Sequence, residues 1–303
     1  MSFRIAHLSD VHLGPMPVVS IRDLLSKRAI GFLNWHKNRG RSFRSSVTDQ
    51  LVGDIKAKKP NHIVVTGDLV NIGLDAEYGR ARTFLEQLGD PADVSAIPGN
   101  HDAYVQGALG QFNANCGDFF EGDQPDKEVG QPYPFGRYRG PVCVIGISSA
   151  VATAPFMATG FVDRRQRRAL QRLLAQAEGH FRVVLVHHPP FPKATHWHKR
   201  LINEAQLRED IFDGGAELVL HGHTHLPTQT TISSRSGPVP VFGVSSAAQA
   251  PGGHKPAAAY TLFTIARSTD GWLLSFERRG YADRSDTIDT LERGEVAISR
   301  KLT

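Results

Sequence analysis

Five short apolar runs in this chain each end in residue types that bind metals, and this pairing constrains the fold most. The blocks are Asp10-Val11-His12, Gly67-Asp68, Gly99-Asn100-His101-Asp102, His187-His188 and Gly222-His223-Thr224-His225. Each preceding run reads as a β-strand, so the blocks fall at strand ends. Five strand ends delivering such side chains describe the rim of one site.

The rest of the pattern fits an α/β frame. Residues 4–8, 62–66, 94–97, 141–147, 181–186 and 218–220 read as strands. A helix is predicted over 45–59, with Val47, Leu51 and Ile55 on one face and Pro60 as its stop. A second spans 75–88, capped by Asp75, with Tyr78, Ala81, Leu85 and Leu88 inward and Gly89 at its end. A basic helix over 163–177 buries Leu170, Leu173 and Leu174, and another lies near 203–212. Residues 107–139 are rich in Gly, Asn, Asp and Pro and read as a long loop. From Thr228 onward β-runs follow one another at 228–232, 239–244, 260–266 and 272–278. Alternation first and strands later predict an α/β core that gains antiparallel strands in its second half. We read one domain over 1–280 and a polar, partly disordered C-terminal tail over 281–303.

With 303 residues, 40% of them hydrophobic, the chain can bury a sizeable core. It has no run of about 18 apolar residues, so no spanning helix is expected. The start at Met1 lacks the basic, apolar and small-residue order of a signal peptide. Cys116 and Cys143 fall outside every block, which argues against a disulfide framework and for a cytoplasmic setting.

The net charge of +5 is unevenly placed. Between Ser20 and Arg44 stand Arg22, Lys27, Arg28, Lys37, Arg39, Arg41 and Arg44 against Asp23 alone. In this basic insertion, residues 15–43, Ile21, Leu24, Leu25, Ala29, Phe32 and Leu33 recur at helical spacing. That pattern suits a helix lying on an anionic membrane, a peripheral contact through 20–44 at the inner membrane surface. The plainer alternative, which we favour from sequence, is a lid helix packing its apolar face on the domain. Bases confined to one segment, not spread along a groove, disfavour nucleic acid as a partner.

The blocks offer a coherent ligand set. Asp10 and His12, two apart, can point the same way. Asp68 can bridge two cations through its two oxygens, and Asn100 offers a neutral oxygen. The partition gives Asp10, His12, Asp68 and His225 to one metal, and Asp68, Asn100, His187 and His223 to the other. Two carboxylates against two divalent ions leave positive charge for a hydroxide and an anionic substrate. Such a pair activates a bridging water and clamps a phosphoryl oxygen. His101 follows a ligand directly and can donate a proton to the leaving oxygen, or simply bind substrate phosphate. Nitrogen and oxygen donors without sulfur favour Fe, Mn, Zn or Co. His7 and His221 lie within apolar runs and read as structural. His188 reads as orienting its loop or as solvated. His196 and His198, beside Trp197 and Lys199-Arg200, read as a solvated loop or a phosphate contact.

Taken together, Ser9-Asp10-Val11-His12-Leu13-Gly14, Gly67-Asp68, Gly99-Asn100-His101-Asp102, His187-His188-Pro189 and Gly222-His223-Thr224-His225 resemble the five motifs of the calcineurin-like metallophosphoesterases. The resemblance spans roughly residues 4–242. It implies a four-layer α/β/β/α sandwich, the same partition of two divalent or trivalent ions, and phosphoester hydrolysis by a metal-bridging hydroxide. Pro98 and Pro189-Pro190 are similar to the bacterial phosphodiesterase branch, whose substrates include cyclic nucleotides and glycerophosphodiesters. The expected activity is therefore phosphodiester hydrolysis of a small-molecule substrate. One alternative is a membrane-surface hydrolase of a lipid-linked pyrophosphate or phosphodiester. Another is a non-catalytic scaffold of the same fold, which should have lost ligands, whereas this chain holds all seven.

Overall fold

A computed structural model describes residues 2–39, 43, 45–123, 132–282 and 287–299. Two six-stranded sheets lie face to face. The first runs β12-β11-β10-β1-β2-β3, with β1 at Ser2–Leu8, β2 at His62–Val65, β3 at Val94–Ala96, β10 at Ala259–Ser268, β11 at Gly271–Tyr281 and β12 at Ile288–Ser299. The second runs β4-β5-β6-β7-β9-β8, with β4 at Phe135–Arg139, β5 at Val142–Gly146, β6 at Phe181–Val186, β7 at Leu218–His221, β8 at Gln229–Ser234 and β9 at Gly237–Gly243. β1, β2 and β3 are parallel, as are β5, β6, β7 and β9. The later strands join mainly antiparallel, as their helix-free spacing predicts.

Strand periodicity builds the layers. In β6, Val183 and Leu185 face the core between the sheets, while Val184 and Val186 face the opposite way. β7 repeats this with Leu218 and Leu220 inward and Val219 outward. Both faces are buried, so these strands read as continuous apolar runs. The outward face is covered by α6 (Arg164–Gln176) and α7 (Glu204–Gly214), through Leu170, Leu174, Leu207 and Ile211. On the first sheet, Leu51 and Ile55 of α3 (Ser45–Lys58) and Tyr78 and Leu85 of α4 (Asp75–Leu88) join the central core. The result is the α/β/β/α sandwich.

Several elements depart from the sequence reading. The Gly-rich segment 107–139 holds α5 (Ala108–Cys116), a 3₁₀ turn and β4. Phe112, Phe119, Tyr133 and Phe135 are buried there, and these apolar anchors override the loop-like composition. Cys116 ends α5 as a buried free thiol, as Cys143 is in β5. The start of α4 is held not by Asp75 but by Glu77, whose carboxylate accepts the N–H groups of Asn71, Ile72 and Leu74. The polar stretch beyond 281 supplies β12, paired along β11 from Tyr281↔Ile288 to Gly271↔Ser299. Its residues alternate between half-buried and exposed, as one-sided edge strands do. No described helix is long and apolar enough to cross a membrane.

One buried ion pair staples the strand starts opposite the site. Arg182 opens β6, and Glu217 immediately precedes β7. Glu217 accepts from the Arg182 backbone N–H at 2.7 Å and from Nε and Nη2 at 2.9 and 2.8 Å. Arg182 Nη1 also donates to the carbonyls of Leu174 and Gly214. Removing one partner strands a buried charge, so Glu217→Ala should cost about 3–5 kcal/mol in urea denaturation. Stability unchanged within roughly 0.5 kcal/mol, the scatter of neutral surface changes, would contradict this role.

Candidate metal centre

All five blocks lie beyond the carboxyl ends of parallel strands. Asp10 and His12 follow β1, Asp68 follows β2, and Asn100 follows β3; His187 follows β6, while His223 and His225 follow β7. Parallel strands place their carboxyl ends on one edge of a sheet, where such folds commonly bind ligands. Because the sheets face each other, the two edges share one site.

The backbone there is unusual. Asp10, His12, Asp68, His223 and His225 have φ of 55°, 43°, 57°, 68° and 57°. Side-chain-bearing residues seldom adopt this left-handed conformation, and it costs roughly 1–2 kcal/mol each. Neighbouring loops hold it in place. Asp10 N–H donates to the Gly67 carbonyl and His12 N–H to that of Asp68, both at 2.9 Å. Asp102 gathers the second and third loops. Its buried carboxylate accepts from Asp68 N at 2.8 Å, Gly99 N at 2.7 Å, and Leu69 and Val70 N at 3.0 Å. Burial and the nearby Asp68 carboxylate push Asp102 up to about 7, and these N–H bonds oppose that rise.

The seven side chains predicted as ligands come together. His12 Nδ1 donates to the Val70 carbonyl, His187 Nδ1 to Thr66 and His223 Nε2 to Lys199, at 3.2, 2.7 and 2.8 Å. A carbonyl only accepts, so each bond fixes a tautomer and turns the other nitrogen inward. His12 Nε2 lies 3.4 Å from His225 Nε2 and 3.8 Å from Asp68 Oδ2. His225 Nε2 lies 3.1 Å from Asp10 Oδ1. On the other side, His187 Nε2 lies 3.2 Å from Asn100 Oδ1 and 3.5 Å from Asp68 Oδ2, and His223 Nδ1 is 2.9 Å from Asn100 Oδ1. The second oxygens of both carboxylates are anchored: Asp10 Oδ2 accepts from His223 N–H and Asp68 Oδ1 from His101 N–H. Asp68 Oδ2 therefore faces both clusters.

This arrangement fits cations. Ligand atoms of Asp10, Asp68 and His187 lie within 4.8 Å of one another. Two carboxylate charges at that distance repel by roughly 3 kcal/mol or more at an effective dielectric near 20. Burial opposes the charged form of Asp10 and of Asp68, but the surrounding histidines hold both below the usual range. Burial likewise disfavours a charged His187, yet Asp68 beside it lifts its pKa to about 9. His225 Nδ1 has no hydrogen-bond partner among the described residues, although its Nε2 pairs with Asp10 Oδ1. Oriented imidazoles, two inward carboxylate oxygens and an amide oxygen form a hard-to-borderline donor set.

The remaining predicted residues are placed as follows. His101 Nδ1 bonds the Asn71 carbonyl at 2.5 Å, and its half-buried ring stacks on Tyr104 at 5.3 Å. A ring nitrogen of His101 also lies within 4.8 Å of ligand atoms of His12 and Asp68. His188 is buried, not solvated. Its Nδ1 pairs with Ser149 Oγ and its Nε2 donates to the Ala158 carbonyl, so it orients the 149–160 loop. Burial, then the neighbouring His187, pushes it down to about 3. His7 is structural, pairing with Thr66 Oγ1; His221 is buried beside Thr228. His196 and His198 stack on each other in the turn that offers the Lys199 carbonyl to His223.

Sequence reasoning assigned no role to Asp102, Glu77 or Phe43. Phe43 stacks on His12 with centroids 5.2 Å apart. Only the position of Asp102 at the end of a ligand block marked it.

The chain belongs to the calcineurin-like phosphoesterase family, whose model matches residues 3–227. It is 31% identical over 103 residues to a Synechococcus protein titled "Probable cyclic nucleotide phosphodiesterase". It is 35% identical over 98 residues to the glycerophosphodiester phosphodiesterase GpdQ of Enterobacter lignolyticus. These matches cover 34% and 32% of this chain, and 32% and 29% of those proteins, about a third of their length. Among solved structures, yellow lupin purple acid phosphatase PPD1 aligns with a TM-score of 0.62 at 12% identity, over 100% of this chain and 54% of that one. Haemophilus influenzae NAD nucleotidase aligns with 0.51 at 11%, over 99% and 50%. At these identities the likeness concerns the fold.

Asp102 makes a direct test of loop positioning. Asp102→Asn keeps the shape but turns an NH₂ group toward backbone donors. Metal affinity, read by competition with a chelating dye, should fall about 10–100-fold while circular dichroism stays native. Unchanged affinity would show that the loops hold their geometry without it.

Proposed function

We propose that this protein hydrolyses phosphodiesters with two metal ions, taking small substrates such as cyclic nucleotides or glycerophosphodiesters. The observation that carries the reading is the position of Asp68 Oδ2 between two nitrogen-rich clusters. Asp10, His12, Asp68 and His225 would hold one ion, and Asp68, Asn100, His187 and His223 the other. Ions of the Fe, Mn, Zn or Co type suit these donors. When bound, they supply an activated water and neutralise charge at phosphorus.

The chain's own residues do the rest. Two carboxylates leave the loaded site with net positive charge, which draws in a phosphate. The Asn71 carbonyl fixes His101 Nδ1 as a donor, leaving Nε2 to exchange a proton with the leaving oxygen. Tyr104 stacking keeps that ring in place. The diester preference rests on the two phosphodiesterase relatives, whose names say what those proteins act on.

Asp68→Asn removes the shared charge. It should release metal and lower turnover of a simple diester at least about 100-fold, since even residues behind the ligands cost 10–100-fold. Full activity in this variant would falsify the bridging assignment. For His101→Ala, general-acid loss predicts a drop of about 10²–10⁴-fold for an alkoxide leaving group and much less for p-nitrophenolate. Equal losses on both would make His101 a phosphate-binding residue instead. A metal-replete protein inert toward every mono- and diester would favour the scaffold reading.

A further inference from the structure

The basic insertion folds with two faces, and each has a distinct fate. It forms two short helices, α1 (Ile21–Leu24) and α2 (Arg28–Asn34). The inward side is fixed to the domain. Met16, Val19 and Phe32 pack on Ile72, Leu74 and Tyr104. Lys27 Nζ donates to Thr153 Oγ1 at 2.7 Å and the Met157 carbonyl at 2.8 Å, and lies over the Tyr104 ring. Arg28 donates to the carbonyls of Ile72 and Gly73 and pairs with Asp23. The lid reading therefore accounts for this half.

The outward side is not explained by packing. Val18, Ile21, Leu25 and Leu33 are 57–100% exposed. Ile21 and Leu25 are four residues apart, with exposed Arg22 between them. Next to the insertion, the turn that receives Lys27 lifts Phe156 into solvent, 78% exposed at φ 66°. A bulky residue held in that conformation and unburied points to a use outside the fold. The following strap of chain pairs with the loop that carries Trp197, 68% exposed beside Lys199 and Arg200. Large apolar side chains interspersed with bases make up this surface.

We propose that this surface docks on an anionic lipid bilayer, with Val18, Ile21, Leu25, Leu33, Phe156 and Trp197 entering the interface. Charge complementarity selects that partner. Arg22, Lys37, Lys199 and Arg200 are exposed on or beside the patch, and the one acid of the insertion, Asp23, is already bound to Ser20 and Arg28. Exposed apolar residues supply insertion, and the surplus bases supply attraction to lipid phosphates. Trp and basic residues at the edge suit the headgroup level. Lys27 and Arg28 anchor the patch to the domain, so docking would fix how the metal rim faces the membrane. This surface is independent of the hydrolase reading, since none of its residues is a proposed ligand.

The test is cosedimentation of the full chain with vesicles of phosphatidylcholine alone or with 30% phosphatidylglycerol, at low and high salt. The same preparation is assayed for metal content and turnover of a water-soluble diester, so the two readings fail separately. Binding should require phosphatidylglycerol and weaken several-fold as salt screens the bases. The double variant Ile21→Ser, Leu25→Ser should lose about tenfold or more in binding while keeping its circular dichroism and soluble-substrate turnover. Phe156→Ser should weaken binding independently. The proposal is overturned by no binding to anionic vesicles, or by binding that ignores these substitutions. It is equally overturned if the same variants abolish binding to a short nucleic-acid duplex while vesicle binding is unchanged.

Discussion

Two carboxylates buried within a ring of imidazoles are the constraint on which this structure depends. Neither Asp10 nor Asp68 can be ionised in a dry interior without compensation, and together they repel. Three of the surrounding histidines, His12, His187 and His223, respond with one nitrogen tied to a backbone carbonyl and the other turned inward. Five of the seven converging residues also adopt left-handed backbone conformations. Local preference opposes every one of these features. They coexist because Asp102 and the neighbouring loops hold the backbone, and because the donors suit cations that would relieve the repulsion.

The two-sheet frame is what brings the donors within reach. Asp10, His12, Asp68 and Asn100 arrive from the first sheet, and His187, His223 and His225 from the second. The core between the sheets sets their separation, with Leu8 and Val65 on one side and Leu185 and Leu220 on the other. Contacts such as His223 N–H to Asp10 then cross from one sheet edge to the other. A shift of one sheet against the other would therefore separate Asp10 from His225 before it exposed any core. Stability and site geometry share a cause here, although the Arg182–Glu217 pair lies at the opposite strand ends.

Much of this was legible in the sequence because polar blocks after apolar runs are a local signal. The seven residues that converge at the strand ends were picked out that way, as were nearly all strands and the four main helices. What escaped depends on long-range packing. The 107–139 segment looks like loop by composition, yet Phe112, Phe119 and Phe135 bury themselves in the core and shape it. β12 carries alternating polar residues that become a strand only once β11 offers an edge. The role of Asp102 rests on four N–H groups from two loops far apart in sequence. The insertion shows both lessons. Its helical spacing was visible, but which apolar residues turn inward is decided by Ile72, Leu74 and Tyr104.

The central claim is that Asp68 lies between two cations. Crystals of the protein grown with Mn²⁺, measured at a wavelength where manganese scatters anomalously, test it most directly. The account predicts two peaks about 3.5–4 Å apart, with Asp68 Oδ2 between them, one beside His12 and His225 and the other beside Asn100 and His187. A single peak, or peaks away from Asp68, would contradict it.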